Sequence, residues 1–312
     1  MELDDLGVAC QFGQTVVGGV RSTTQKNPAE QALILSYAAS GICAELQARE
    51  TRLSGQLALK NQAGSGRVAS ATDARLVSQR EYAVAAQRYQ TAWQHTVSVY
   101  GLSCDRMSNK EQALYLVGLI AGDLSLISDT ASGSRVGVPQ NTILEVARGA
   151  ACLDDATWWG VPSALQAAAW ATVPGSGPEG VDPWALLETA AAEGESQGVR
   201  IARALQVFAA ANAGQSDVLE AAIQAHGAAL QTPANPAAQL LDQYALSVSL
   251  FESDQIWIAA EGHRTREFGT LPVAPDVGED PFGSEDPFGS DDPFGEEAPA
   301  DEDESSDGEE TP

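Results

Sequence analysis

The sequence has few basic side chains. It carries 17 Lys and Arg against 43 Asp and Glu, a formal net charge of −26. Sixteen of the acids lie in residues 271–312, which contain no base, so residues 1–270 carry a net charge of −10. Nucleic-acid binding needs a basic face that neutralises phosphates, and adhesion to an anionic membrane surface needs a basic patch. We therefore expect no nucleic-acid partner and no electrostatic membrane binding.

Motifs of catalysis and metal binding are also missing. The sequence has no Gly-x-Ser-x-Gly elbow, no Gly-Lys-Ser/Thr phosphate loop, no His-Glu-x-x-His and no Cys-x-x-Cys pair. Its three histidines, His95, His226 and His263, stand in no recognisable catalytic pattern. This absence favours a protein that is not an enzyme and has neither cofactor nor metal, although an enzyme with an unrecognised site is the remaining alternative.

Long apolar runs are absent too, since no segment approaches the ~18 apolar residues of a membrane span. The first five residues are acidic where a signal peptide would be basic. Either the protein is cytoplasmic, or the chain begins downstream of a targeting segment. Residues 6–10 end in small residues before Cys10 and weakly resemble a bacterial lipoprotein cleavage site, with Gly7 where that pattern prefers Leu.

What the sequence does contain is helical periodicity. Small and apolar residues recur at helical spacing, and alternation of β-branched residues is rare. Asp182 can cap one helix, and Gly198 and Gly214 interrupt the pattern between helices. The clearest segments are 183–195, 199–213, 216–231 and 236–251. Consecutive helices with short loops predict an all-α array of antiparallel hairpins, similar to TPR proteins, over residues 1–262.

One predicted helix, residues 110–128, is apolar on nearly all sides, which indicates a buried position. Gly118 and Gly122 lie four residues apart on it and suit a close crossing with a neighbouring helix.

The four cysteines can form two disulfides. A hairpin that turns near Thr24 would bring Cys10 towards Cys43. A second hairpin, turning near Gly133, would bring Cys104 towards Cys152. The alternative is four buried thiols in a cytosolic protein.

Residues 263–312 are predicted to be a disordered acidic tail. A period of six residues repeats Asp-Pro-Phe-Gly three times, and high charge with isolated aromatics cannot bury a core. Phe282, Phe288 and Phe294 could act as three weak anchors for a partner, whose repetition raises avidity. The alternative is a solvated acidic spacer.

Several segments together resemble the T-component of TRAP transporters, a family of TPR-like periplasmic lipoproteins. They are the apolar run 115–122 with its paired glycines, the run 146–155, Trp158-Trp159-Gly160, and the later segments 190–195, 198–202, 217–229, 235–241 and 245–250. Their order over about residues 25–257 carries the resemblance. The chain differs from the family in its acidic tail and in lacking a complete TPR signature.

The resemblance implies a bent helical bundle with a central cavity, located in the periplasm or cell envelope. It also implies a periplasmic solute-binding protein or transporter subunit as partner, self-association into a homo-oligomer, and a small apolar ligand. Tyr115, Trp158 and Trp159 could line the cavity, or they could belong to the core. The alternative function is a general interaction scaffold whose Phe-repeat tail recruits a partner.

Overall fold

The computed structural model describes residues 6–20, 26–61 and 66–272. Within these ranges it contains ten α-helices, one 3-10 turn and no strand, which confirms the all-α class. The Asp-Pro-Phe-Gly repeats with Phe282, Phe288 and Phe294 lie outside the described residues. The helices are α1 (Leu6–Val20), α2 (Lys26–Asn61), α3 (Gly66–Tyr100), α4 (Asn109–Ser132), α5 (Thr142–Ala150), α6 (Val161–Thr172), α7 (Pro183–Ser196), α8 (Ile201–Ala213), α9 (Ser216–Ala229) and α10 (Gln239–Glu261).

Local capping chemistry explains several helix ends. Ser108 accepts a hydrogen bond from the Glu111 backbone N–H, and the Glu111 carboxylate accepts one from the Ser108 backbone, a capping box at the start of α4. Asp182 accepts from the backbone N–H groups of Trp184 and Ala185 at the start of α7. Gly214 ends α8 with a φ of 66°, which favours glycine. The last helix, α10, continues to Glu261, ten residues beyond the predicted end at 251.

The long helices α2 and α3 form an antiparallel hairpin. Gln31 of α2 donates to the Tyr100 hydroxyl of α3 at 3.1 Å, and Ser78 of α3 donates to the Ala48 carbonyl of α2 at 2.8 Å. The residue number rises from Gln31 to Ala48 on α2 while that of the partner on α3 falls from Tyr100 to Ser78. Small residues allow the two backbones to approach, and a Cβ at Gly41 would lie 2.5 Å from the Tyr89 ring.

Helix α4 crosses α3 at the predicted glycine pair. A Cβ at Gly118 would overlap Thr96, and one at Gly122 would lie 2.7 Å from Val146 on α5 and 3.0 Å from Trp93 on α3. The two glycines therefore permit a close approach on both sides of α4.

Helix α4 is also the one helix in the described part of the chain whose length and hydropathy would allow it to cross a membrane. Its length and composition alone are weak evidence for a span, so α4 is consistent with the expectation of no transmembrane segment. In the structure 72% of its apolar window is buried among other helices, as in the core helix of a bundle.

The last helix returns to the first hairpin. Tyr244 of α10 donates to Glu45 of α2 at 2.8 Å, and Gln56 of α2 donates to Gln255 of α10 at 3.2 Å. Lys60 donates to the Ala259 carbonyl at 2.7 Å. These pairs keep a constant offset of 199 residues, so α10 runs parallel to α2. The array of hairpins is therefore closed by contact between an early and a late helix.

Buried arginines join the C-terminal helices. Arg200 pairs with Asp242 of α10 at 2.6 Å and donates to the Ala229 carbonyl at 2.8 Å, the last residue of α9. Arg203 of α8 pairs with Glu195 of α7 at 2.8 Å and with Glu188. These ion pairs and hydrogen bonds connect α7 with α8, and the start of α8 with α9 and α10.

The compact unit ends at Pro272, ten residues beyond the boundary at 262 that the sequence predicts. Thr265 donates its backbone N–H to Asp254 at 2.9 Å, and Trp257 donates to the Thr270 carbonyl at 3.1 Å. Phe268 packs edge-on against His226 with ring centroids 5.3 Å apart. Because these contacts are few and involve no periodic apolar pattern, the sequence gives little sign of them.

Candidate functional site

A cavity of about 180 Å³ lies between α4, α5, α6 and α8. Its walls come from residues at helical spacing, so that each helix presents one face to it. The buried part of the wall is apolar except for one carboxyl group, and consists of Asp123, Leu126, Ile143, Ala168, Leu205, Phe208 and Ala209. A lining of this kind, apolar with one polar group, is typical of a site for a small ligand.

The mouth of the cavity is polar and exposed. Thr130, Gln140, Thr172 and Asn212 line it. Thr130, Thr172 and Asn212 belong to the last turns of α4, α6 and α8, so all three helices end at the mouth. Asp123 stands seven residues before Thr130 on α4, which places it about 10 Å deeper along the helix axis.

Asp123 is the one titratable side chain in the cavity wall. It is 3% exposed, and among the described residues no hydrogen bond or ion pair reaches its carboxyl group. Burial raises the pKa of this group to about 7, since an apolar surrounding disfavours the charged form. At neutral pH the carboxyl is therefore divided between its protonated and ionised forms.

A second buried carboxylate, Glu45, stands next to this region in a different environment. It accepts hydrogen bonds from Tyr89 at 2.6 Å and Tyr244 at 2.8 Å, and it pairs with Arg49. The Arg49 guanidinium lies 5.3 Å from the centroid of Phe208, which also lines the cavity. Glu45, Arg49, Tyr89 and Tyr244 form a hydrogen-bonded group, which we call the Glu45 cluster. Through Arg49 it packs behind Phe208 in the cavity wall.

The pKa values within this cluster agree with that arrangement. Burial, and then the adjacent Glu45 carboxylate, raise the pKa of Tyr89 and of Tyr244 well above 10. Burial alone would lower the pKa of Arg49, but the Glu45 carboxylate raises it above its ordinary value. Both tyrosines therefore stay neutral hydrogen-bond donors at neutral pH, and Arg49 stays charged.

The aromatic residues proposed for the cavity lie elsewhere. Tyr115 is fully buried in the core, where its hydroxyl faces Gly149 and has no hydrogen-bond partner within the described structure. Trp158 donates to Gln112 at 3.1 Å and packs edge-on against Trp159. None of the three lines the 180 Å³ cavity. Their size and apolar character suit the core as well as a cavity, and the sequence pattern left both open.

The cysteines form the two pairs that the hairpin argument favours. Cys10 is bonded to Cys43 with Cα atoms 5.0 Å apart, and Cys104 to Cys152 with Cα atoms 5.8 Å apart. The first bond fastens α1 to α2. The second joins the α3–α4 connection to the segment that follows α5.

His226 is buried and hydrogen-bonded to Ser249 at 2.8 Å. Burial, and then Arg200 and Arg203, lower its pKa to about 3, so its imidazole stays neutral. Within the described ranges no cluster of three His, Cys, Asp or Glu side chains could hold a metal ion.

A second, more open cavity of about 530 Å³ lies along the loop before α7, between Trp170 and Trp184. Its one charged residue, Glu179, is exposed. Because no polar group is buried there to fix a ligand, the cavity at Asp123 is the better candidate.

Comparison with protein-family models, with curated proteins and with solved structures gives no match. Any functional conclusion therefore depends on the geometry of the chain itself.

The sequence contains one signal that points to Asp123. A single carboxylate in the middle of an otherwise apolar helix is unusual, because burial without a partner is costly. The apolar character of 110–128 indicates a core helix but does not show that a cavity meets it at Asp123. That depends on the crossing of α6 and α8.

Proposed function

We propose that the protein is a non-enzymatic helical binding protein of the cell envelope, similar in role to the T-component of TRAP transporters. In this proposal the cavity between α4, α5, α6 and α8 holds a small, largely apolar ligand. The observation that supports it most is the cavity itself, which combines an apolar wall with a polar, accessible mouth.

The location rests on the two disulfides. Such bonds form and persist in oxidising compartments such as the periplasm and are rare in the cytosol. A periplasmic solute-binding protein or a transporter subunit is the partner that this role calls for.

The ligand part of the proposal is tested with a cavity-filling variant. The full chain would be purified from the envelope fraction of its native host, and small molecules extracted from it would be identified by mass spectrometry. Ala209→Leu adds three carbons to the buried cavity wall, while Ala213→Leu makes the same change at the exposed end of the same helix.

We expect a small apolar compound to co-purify with the wild-type chain and with Ala213→Leu, and to be lost from Ala209→Leu. Equal recovery from all three proteins would place the compound outside the cavity, and recovery of none would remove the support for a bound ligand.

The alternative, an interaction scaffold that works through its acidic tail, is supported by the three Asp-Pro-Phe-Gly repeats. Tagged chains with and without residues 271–312 separate the two roles. A solute-binding protein recovered with both chains favours the transporter role, whereas partners lost with the tail favour the scaffold.

A further inference from the structure

The unpaired carboxyl group of Asp123 is the feature of the cavity that an apolar ligand alone does not explain. Buried carboxylates are normally partnered, as Glu45 is by Arg49, Tyr89 and Tyr244. Asp123 is equally buried, yet no described side chain or backbone group forms a hydrogen bond or ion pair with its carboxyl group. The residue lines the 180 Å³ cavity. An apolar side chain of similar size would be less costly at this position, so the carboxyl calls for a partner from outside the chain.

The electrostatic surroundings favour a positive charge in that space. No Lys, Arg or His lines the cavity, so an anion entering it would find no counter-charge. Three helices present their C-terminal ends at the mouth, and each such end carries partial negative charge. Residues 1–270 carry a net charge of −10, which raises the local concentration of cations over anions.

The volume limits the size of the occupant. An apolar cavity of about 150 Å³ holds one benzene molecule, and this cavity measures about 180 Å³. One ring, or a branched alkyl group of similar size, therefore fits together with an amino group.

We propose that the cavity binds a small organic cation, an amine with an apolar body about one ring in size, through an ion pair between its ammonium group and the Asp123 carboxylate. The apolar body would pack against Leu205 and Phe208, which line the same cavity. This inference rests on the proposed ligand-binding function and specifies the chemical class of the ligand.

Benzylamine and toluene are suitable probes, because they share a ring and differ in the charged group. Their affinities for the full-length protein would be measured by calorimetry or by NMR titration at about pH 8, where the amine is protonated and Asp123 is largely ionised. Asp123→Asn removes the charge while keeping the shape of the side chain. Glu220→Gln removes one exposed charge from α9, outside the cavity, and serves as the matched control.

We expect benzylamine to bind the wild-type chain at least about tenfold more tightly than toluene, because a desolvated ion pair is lost with the neutral probe. Asp123→Asn should lose this preference and keep its affinity for toluene, and Glu220→Gln should behave as wild type. Ala209→Leu should weaken the binding of both probes.

Three results would overturn the inference, and they separate it from the proposed function. Equal affinity for the two probes, or an unchanged preference in Asp123→Asn, would remove the cation from the proposal but leave the cavity as a binding site for apolar molecules. Failure of both probes to bind would count against the cavity as a ligand site altogether.

Discussion

Two buried acidic side chains, Glu45 and Asp123, have opposite surroundings in this fold. Glu45 is held by two tyrosine hydroxyls and Arg49, so the cost of desolvating its charge is offset by ionic hydrogen bonds. Asp123 has no such partner among the described residues, and its neutral form is favoured instead. The first arrangement stabilises the packing of α2, α3 and α10. The second costs folding free energy at neutral pH, because burial favours the protonated form of Asp123.

This difference predicts a pH-dependent effect of Asp123→Asn in the ligand-free protein. The folded-state pKa of about 7 lies above the ordinary value of 3.8, so the folded chain binds the proton more tightly than the unfolded chain. The contribution of Asp123 to wild-type stability should therefore be lost as the pH rises from about 4 to about 7. The variant should be more stable than wild type by up to about 4 kcal/mol at pH 8 and about equally stable near pH 4.

Urea unfolding at several pH values measures this difference. Glu220→Gln is the control, and its stability relative to wild type should vary little over the same range. A pH-independent difference between Asp123→Asn and wild type would mean that the carboxyl is solvated or paired in the folded protein.

The individual residues whose role the sequence reveals are those that interact with near neighbours in the chain. Ser108 with Glu111, and Asp182, cap helices through neighbours within three positions, and their spacing shows it. Glu45 and Arg49 also stand at i, i+4 spacing, but this is equally typical of an exposed helix pair. Part of their surroundings comes from Phe208 and Tyr244, which lie more than 150 residues later in the chain.

At the scale of the helix, α4 depends on its two glycines. The pair indicated a close crossing, and the structure places Thr96 of α3 against Gly118 and Val146 of α5 against Gly122. The predicted ends of α7, α8 and α9 lie within two residues of the observed ends, whereas α4 runs four residues and α10 ten residues further than predicted. The face of each helix that would meet a cavity could not be predicted, because it depends on how several helices cross.

Gly118→Ala should accordingly destabilise the protein, even though alanine is the better helix former. Its Cβ would overlap Thr96, so the crossing of α3 and α4 must open. We expect a loss of about 1–3 kcal/mol in the free energy of unfolding, measured in urea.

Gly66→Ala at the start of α3 is the matched control, because no atom lies within 4 Å of the added Cβ. It should leave stability unchanged or raise it by up to about 1 kcal/mol. Similar losses at both positions would show that the effect comes from the backbone and not from the crossing.

For the whole molecule, two covalent links supplement the packing of alanine-rich helices. The Cys10–Cys43 bond spans 33 residues and the Cys104–Cys152 bond spans 48. Cross-links of this span restrict the unfolded chain. The sequence allowed either disulfides or thiols, since cysteine count and hairpin topology are compatible with both.

Protein from the native host should therefore contain both cross-links on peptide mapping under non-reducing conditions. Replacing Cys104 and Cys152 together with Ala should lower the free energy of unfolding by about 2–4 kcal/mol. A reductant should lower the stability of the wild-type chain, whereas a variant lacking all four cysteines should not respond. Four free thiols in the native material would contradict this prediction.

The parallel contact between α2 and α10 has a consequence for how such a chain can change over time. An open array of hairpins can gain or lose a unit by duplication or deletion, because each unit touches only its neighbours. Here the constant offset of 199 residues fixes where the late helix must meet the early one. Inserting or removing a hairpin between them would separate Tyr244 from Glu45. The Glu45 cluster, which packs against the cavity wall, would then be disrupted. Closure between α2 and α10 therefore limits how many hairpins can lie between these two helices.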